Sequence, residues 1–524
     1  MTATLKLALC LLAAASIVAP PHARAQSLRI AVQTETSSLD PHFALVGANQ
    51  AIAMHIFDPL ADSDTEMRPK PGLTTFTNPQ PDVWEFRIRD GAAFQDGAPI
   101  TSNDLRFSLE RMPRVPNSPA PFLRMQAATA AIETPDDRTL RIRSHGPDPS
   151  VVLNAMTAYI VPARATATEP TTADFNAGRA TIGSGPWKFF SWQPGSPLEL
   201  ARNDSWWGPK PAFATVSIRP IASDAARVAA LLSGDVDLID RVPASDISRL
   251  RANPAFAITT SPSARVIYLA LDQGGDTSPF IAGKDGKPLP HNPLRDVRVR
   301  RALSMAINRD AIVDRVLQGG GRPTGQLAVE GQLGYDPALK PPPFDAPGAK
   351  KLLAEASYPD GFRLTLHSPN NRYVEDAKTV QAVAQFWTRI GVETKVEVMP
   401  ANVFFTRAGK REFSAFLIGF GHSTGDAWLG LSQVLQTNDG KGTGGLNRGR
   451  YSSATFDQVM EEARTQTDPA KRETLIRRAQ RIAFTEDAGI LPLHVPTNIW
   501  AHKAAITYEG GLEEATLAHR AHLK

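Results

Sequence analysis

The sequence predicts an α/β fold of mixed sheets flanked by helices and divided into two or three domains. Length and composition predict part of this, since 524 residues with 42% hydrophobic and 21% charged residues hold enough apolar material for more than one core. Segments of strand period and of helical period alternate along the chain. One stretch also reads strand, helix, strand, the order of a right-handed parallel crossover.

Residues 1–25 stand apart. Lys6 precedes an apolar run from Leu7 to Val18, and Ala23-Arg24-Ala25 offers a small-x-small cleavage site, so a secretory leader cut after Ala25 is expected. The run is too short to span a bilayer, and no later one approaches the roughly 18 to 20 apolar residues that a membrane helix needs. Cys10, the one cysteine, falls inside this leader, so no disulfide, thiolate catalyst or cysteine metal site is expected. Removing Lys6 and Arg24 lowers the formal charge from +4 to +2. With basic residues dispersed, no nucleic-acid partner is expected, and "RVRR" at 298–301 is expected on a solvated helix face.

Further along, Trp84, Phe86 and Ile88 alternate with Glu85, Arg87 and Arg89, the pattern of a half-buried strand. Asp96-Gly97 turns the chain, and Thr101-Ser102 can cap a helix carrying Leu105, Ser108, Leu109 and Met112. Asp345 with Pro347 starts a helix "GAKKLLAEA", Pro359-Asp360-Gly361 turns, and "FRLTLH" is a strand. A long helix follows over about 374–390, with Val380, Val383, Ala384, Trp387 and Ile390 at helical spacing and Gly391 as its C-terminal cap. "VETKVEVM" then alternates as a strand, which completes the crossover. Proline- and glycine-rich stretches such as "LKPPPFDAP" are surface loops.

In "FLIGFGHSTGDAWLGL", at 416–431, Gly421-His422-Ser423-Thr424-Gly425 matches the G-x-S-x-G elbow that presents a nucleophilic serine between a strand and a helix. Asp457 or Asp487 and then His494 would complete the chain order of a hydrolase triad. Three specified positions in five are weak, however, and a triad is defined by geometry. A turn serine and a ligand-contacting serine are the other two readings.

Six segments in order resemble one family. They are "SSLDPH" at 37–42, "FRIRDGAAFQDGAPITSNDLRFSLER" at 86–111, "IGSGPWKFFSWQPGSPLELARNDSWWG" at 182–208, "RVAALLSGDVDLID" at 227–240, "PLRDVRVRRALSMAINRDAIVDRVLQGG" at 293–320, and "RIGV" at 389–392. Together they resemble the periplasmic solute-binding proteins of ABC importers, in the dipeptide/oligopeptide-binding family (bacterial extracellular solute-binding family 5). The resemblance implies a two-lobed periplasmic-binding-protein fold of the large type, with an extra inserted domain and a hinge cleft that traps ligand. It implies no enzyme activity and no cofactor. The expected partners are a small-molecule ligand and an ABC permease and ATPase complex at the inner membrane, and the protein is expected to be a periplasmic monomer.

On this reading residues 26–57, 181–270 and 491–524 form lobe 1, 58–180 the inserted domain and 271–490 lobe 2, with crossings at "RVIYLALD" and "LPLHVPTNIW". In the family the stretch after the apolar strand reads W-x-x-D-Y-x-D-P and lines the cleft. Here Phe420 takes the aromatic position, Ser423 that of the first aspartate, Thr424 that of the tyrosine and Asp426 that of the second aspartate. In the peptide binders that first aspartate pairs with the ligand's α-amino group. Serine supplies no such charge, so ordinary peptides are disfavoured unless Asp426 takes over.

Ser423 is therefore expected to line the cleft, with Gly421 and His422 beside it. Glu35, five residues before Asp40, matches the spacing of a cleft glutamate, with Thr36 and Ser37 adjacent; a solvated acid at a strand end is the other reading. Arg372 and Tyr373, in the loop that opens the long helix, suit an anionic or planar group, a helix-capping loop being the other reading. Core packing is the reading for Trp428. The close-spaced His519 and His522 lie in what reads as a frayed tail, and no metal site is expected. An esterase-like hydrolase using Ser423 and a periplasmic chaperone-like binder are the alternative functions.

Overall fold

A computed structural model describes residues 27–119, 122–165, 168–440 and 443–524; the leader expected over 1–25 lies outside the described residues. Among these, thirteen strands join in one mixed sheet. Its first half runs Trp187–Ser191, Leu198–Arg202, Thr215–Pro220, Ser27–Val32, Leu238–Ile239. Its second half runs Arg265–Leu271, Ala415–Gly421, Arg363–Pro369, with Glu393–Met399 and Ile281–Ala282 beside the last.

One strand, Leu491–Lys503, belongs to both halves. Its start pairs with Arg265–Leu271 and Gly321–Pro323, and its end with Phe256–Pro262 and Leu238–Ile239. Of the two segments expected to carry crossings, the long strand belongs to both halves, whereas Arg265–Leu271 lies wholly in the second, directly after Phe256–Pro262 of the first. A separate four-stranded sheet, ordered Thr74–Gln80, Val83–Ile88, Thr139–Ser144, Thr129–Asp136, has its own core around Phe86, Leu105, Leu140 and Ile142.

Local chemistry explains the elements that position the site. The helix Ala346–Glu355 starts where Asp345 Oδ1 accepts from Gly348 N at 2.8 Å. The helix Asp376–Arg389 begins two residues later than its periodicity predicts. Asp376 Oδ2 accepts from the backbone N–H groups of Arg372 and Tyr373 at 3.0 Å each, and Glu375 is left-handed at φ 54°. The preceding loop is thereby tied back across the helix start. Val380, Val383, Ala384 and Trp387 are buried as the period requires, and the flanking strands pair in parallel with Arg363 opposite Glu393, which is the expected crossover.

The family-like motifs are largely structural. Asp40 of "SSLDPH" forms a fully buried two-pronged pair with Arg111, at 2.7 and 2.9 Å, at the end of the capped helix Ser102–Arg111. A Cβ at Gly183 would lie 1.8 Å from the Ile56 carbonyl oxygen, so only glycine fits there. Trp206 and Trp207 donate to Asp58 at 3.4 and 2.9 Å.

Two expectations are corrected. In "RVRR", Arg298 and Arg301 are exposed, but Arg300 is buried and donates to the carbonyls of Leu294, Arg295, Asp487 and Ala488. It ties the helix Val297–Met305 to the segment before the long strand. The histidine-bearing tail is not frayed either, because Ala521–Leu523 pairs antiparallel with Ile506–Tyr508.

Candidate functional site

The carboxyl ends of parallel strands meet at the crossings, where open α/β sheets bind ligands. Gln33 follows Ser27–Val32 and Arg241 follows Leu238–Ile239, two parallel neighbours of the first half. Arg372 and Tyr373 follow Arg363–Pro369, and Gly421 ends Ala415–Gly421, parallel neighbours of the second. Arg265 opens the strand leaving the hinge.

Glu514 reaches these groups from the segment after the long strand. Its carboxylate accepts from Arg265 Nε at 2.7 Å and Nη2 at 3.0 Å, from Ser263 Oγ at 3.0 Å and from Arg241 Nη2 at 3.3 Å. Arg241 Nη1 in turn donates to Gln33 Oε1 at 3.0 Å. Gly421 leaves room for this network, because a Cβ there would lie 2.8 Å from Arg265 Nη2.

The electrostatics are one-sided. Burial alone would raise Glu514, yet Arg265, by charge and hydrogen bonds, and Arg241 hold it well below the usual carboxylate range. Burial alone would lower Arg265, but Glu514 outweighs it and the guanidinium is raised. Arg372 has no such partner. Its guanidinium carbon lies 5.2 Å from the centre of the Tyr373 ring, and no described group accepts a hydrogen bond from it. Burial, and then the charge of Arg265, lower it from its ordinary value. Arg265 and Arg241 bond Glu514, the Asp240 carboxylate also acts on Arg241, and Arg372 is left without a bonded carboxylate, so it is the guanidinium a bound anion would pair with.

Of the residues singled out from sequence, Arg372, Tyr373 and Gly421 come together here. Tyr373 Oη donates to Gly419 O at 3.3 Å, and Arg265 sits 5.9 Å from its ring centre. Ser423 lies two residues beyond Gly421 on the wall of a cavity, half-buried, and no described group hydrogen-bonds its hydroxyl.

The others are engaged elsewhere. Phe420 is buried in the second half's core, with His422 edge-on at 5.0 Å. His422 Nε2 donates to Leu327 O at 2.8 Å, and burial lowers its pKa to about 4. Asp426 is buried, paired to Arg472 at 2.8 and 3.1 Å and accepting from Trp428 N at 2.6 Å, so its carboxylate is already satisfied and does not stand in for the missing aspartate. Glu35 is exposed and accepts from Gly195 N at 2.5 Å. Thr36 Oγ1 donates to Ser38 O at 2.9 Å, and Ser37 Oγ to Asn49 Oδ1 at 3.2 Å.

No triad surrounds Ser423 among the described residues. Asp487 accepts from Tyr451 Oη at 2.6 Å and Asp457 from Thr437 Oγ1 at 2.6 Å, and neither meets an imidazole. Sequence reasoning missed Gln33, Arg241, Arg265 and Glu514, since each is a lone polar residue in an unremarkable context.

Two sheet halves sharing one long strand, with charged and polar side chains gathered at their facing strand ends and Arg372 unpartnered among them, are the architecture of a hinged receptor for small solutes. The comparisons agree. The family model for bacterial extracellular solute-binding proteins, family 5 Middle, matches residues 68–442, and the chain belongs to that family, whose members are the substrate-binding components of ABC importers. The glutathione-binding protein GsiB of Escherichia coli (strain K12) is 27% identical over 497 residues, covering 92% of this chain and 91% of its own. Among solved structures, the periplasmic binding protein DppA from Helicobacter pylori, in complex with the peptide STSA, superposes with a TM-score of 0.75 at 22% identity over 95% of this chain and 98% of its own. AgaA from A. tumefaciens R10, in complex with agropinic acid, gives 0.74 at 23% identity over 95% and 99%.

Proposed function

We propose that this protein captures an anionic small solute between its halves and delivers it to an inner-membrane permease and ATPase complex. It acts as a monomeric, non-enzymatic periplasmic receptor exported by the leader at 1–25. Its lobes are divided as 26–57 with 181–270 and 491–524, the insert 58–180, and 271–490. Unpartnered Arg372, beside the Arg241–Glu514–Arg265 network, carries the reading, because a carboxylate placed there gains charge-assisted, two-pronged hydrogen bonds. The names of the relatives support it, since glutathione bears two carboxylates and agropinic acid is an acid.

Calorimetric titration of the chain lacking residues 1–25 tests it, with glutathione, agropinic acid, dialanine and maltose as probes. An acid binds and maltose does not, and Arg372→Gln weakens the best acid by roughly ten- to a hundredfold, the worth of a hydrogen bond to a charged group. Maltose binding as tightly as the acids, or an unchanged Arg372→Gln, refutes it.

A further inference from the structure

The hairpin at 62–70 is rooted in one core and ends in another. At its base Leu60, Ala61 and Leu73 are buried with Phe86 and Leu140, and Asp62 and Ser63 pair with Lys70 and Pro69. At its tip Met67 is buried in the second half's core, in the cluster that holds Ala427, Leu431 and Ile476. Resting on the hinged-receptor reading but not on the anion site, we propose that the tip at 64–68 is a latch that the second half receives at Gly425 and Gly331, and that its release opens the cleft.

The tip holds its own shape. Asp64 Oδ1 accepts from the backbone N–H groups of Glu66 and Arg68 at 2.9 Å each, Asp64 N donates to Arg68 O at 3.0 Å, and Met67 N donates to Asp64 O at 3.0 Å. Met67 is left-handed at φ 62°, a conformation that is costly for any residue but glycine and persists only where its surroundings enforce it. These bonds fix Met67 at the apex, and its flexible thioether suits a seat that it enters and leaves.

The seat is equally defined. Gly425 N donates to Met67 O at 2.6 Å, and Arg68 donates to Gly331 O from Nη2 at 2.8 Å and from Nε at 3.2 Å. Leu512 N, from the segment after the long strand, donates to Thr65 O at 2.9 Å. The two parts of the seat are joined, because Leu333 N donates to Gly425 O at 2.8 Å and Gln332 Nε2 to Thr424 O at 3.0 Å. A Cβ at Gly425 would lie 2.6 Å from Met67 O and 3.0 Å from Glu66 O. The last glycine of Gly-x-Ser-x-Gly therefore has a reason unrelated to a nucleophilic serine, since its missing side chain admits the hairpin.

Such a latch is small enough to release. Parting exposes one methionine side chain, while water replaces the partners of the backbone groups. Burial of one such side chain favours the closed arrangement by roughly ten- to a hundredfold. A bias of that size leaves the decision to the contacts that a solute adds.

Native-state hydrogen exchange on the chain lacking residues 1–25, with no solute added, tests the proposal. The Gly425 and Leu512 amides should exchange together, through an opening that urea barely accelerates, and faster than the Val383 amide inside the helix Asp376–Arg389. Met67→Ala should speed both by about ten- to a hundredfold. Because Cys10 is the one cysteine, that chain has none, so spin labels at Thr77→Cys and Lys410→Cys, both exposed positions, read the separation of the insert from the second half. Met67→Ala should raise the ratio of long to short distances by the same factor. Arg68→Gln, also at an exposed position, should act in the same direction and replaces it if the alanine variant does not fold.

Gly425 exchange no faster than that of Val383 would show a permanent contact, and an unprotected Gly425 amide would show a tip that is not docked. Unchanged label distances in the variants would show a hairpin that frays without opening the cleft. Each of these outcomes overturns the proposal, and none depends on which solute Arg372 meets.

Discussion

Glu514 is one carboxylate among three arginines, and its removal tests how the site is held. Glu514→Gln should cost about 2 kcal/mol, less than the 3 to 5 typical of a broken fully buried pair because water reaches part of the group. Its folded pKa is depressed, so the stabilisation is complete above the ordinary carboxylate value of 4.5 and is lost as pH falls through the folded value. Urea titrations should show the gap between wild type and variant at pH 7 shrinking by pH 3.

Ser423 permits a second test at this scale. Ser423→Asp should strengthen dialanine binding by restoring a partner for its amino group, and Ser423→Ala should leave any trace ester hydrolysis unchanged. A hundredfold loss of hydrolysis in the alanine variant would revive the hydrolase reading. Arg372 and Tyr373 were legible because they sit in a loop opening a clearly periodic helix. Glu514 was not, since Arg265 lies 249 residues away and Arg241 lies 273 away, and no local pattern links them. Asp426 was misjudged for the same reason, its Arg472 being 46 residues distant.

Among the elements, periodicity and capping residues located the crossover strands and the helix between them, because hydrophobic spacing reports which face is buried. They missed the two-residue delay at Asp376, which depends on where one carboxylate finds backbone donors. The motif at 182–208 shows what family likeness measures here, for its glycines and tryptophans hold the first half to the segment around Ile56 and Asp58 rather than touching a ligand. Gly183→Ala should therefore cost about 3 kcal/mol, since the new methyl meets a backbone oxygen that cannot turn aside. Differential scanning calorimetry should show a lowered midpoint, with ligand affinity unchanged at a temperature where the variant remains folded. A midpoint within a degree of wild type would mean that the backbone yields there.

At the scale of the molecule, protonation should govern acid stability. His42, His55, His367, His422 and His494 are each lowered to about 4, chiefly by burial, so between pH 6.5 and 4 the unfolded chain binds protons that the folded chain refuses. Stability then rises with pH across that window. Asp58, raised to about 6 by burial against its hydrogen bonds, and the raised Asp240, Asp376 and Glu513 act in the opposite sense. Unfolding near pH 5 should take up about two to four protons net, read from the slope of unfolding free energy against pH. A flat profile between pH 7 and 5 would contradict the buried, neutral histidines.

The strand Leu491–Lys503 has a further consequence, in time rather than in space. Among the described strands Phe256–Pro262 pairs with this strand alone, whose residues 501 and 502 also face Leu238–Ile239. During synthesis those earlier strands must wait for more than two hundred residues before their partner exists. Closing so long a loop adds little to the equilibrium cost but slows the search. The growing chain thus keeps an unzipped edge until the long strand emerges, a delay that would suit the proposed export of the chain before it folds.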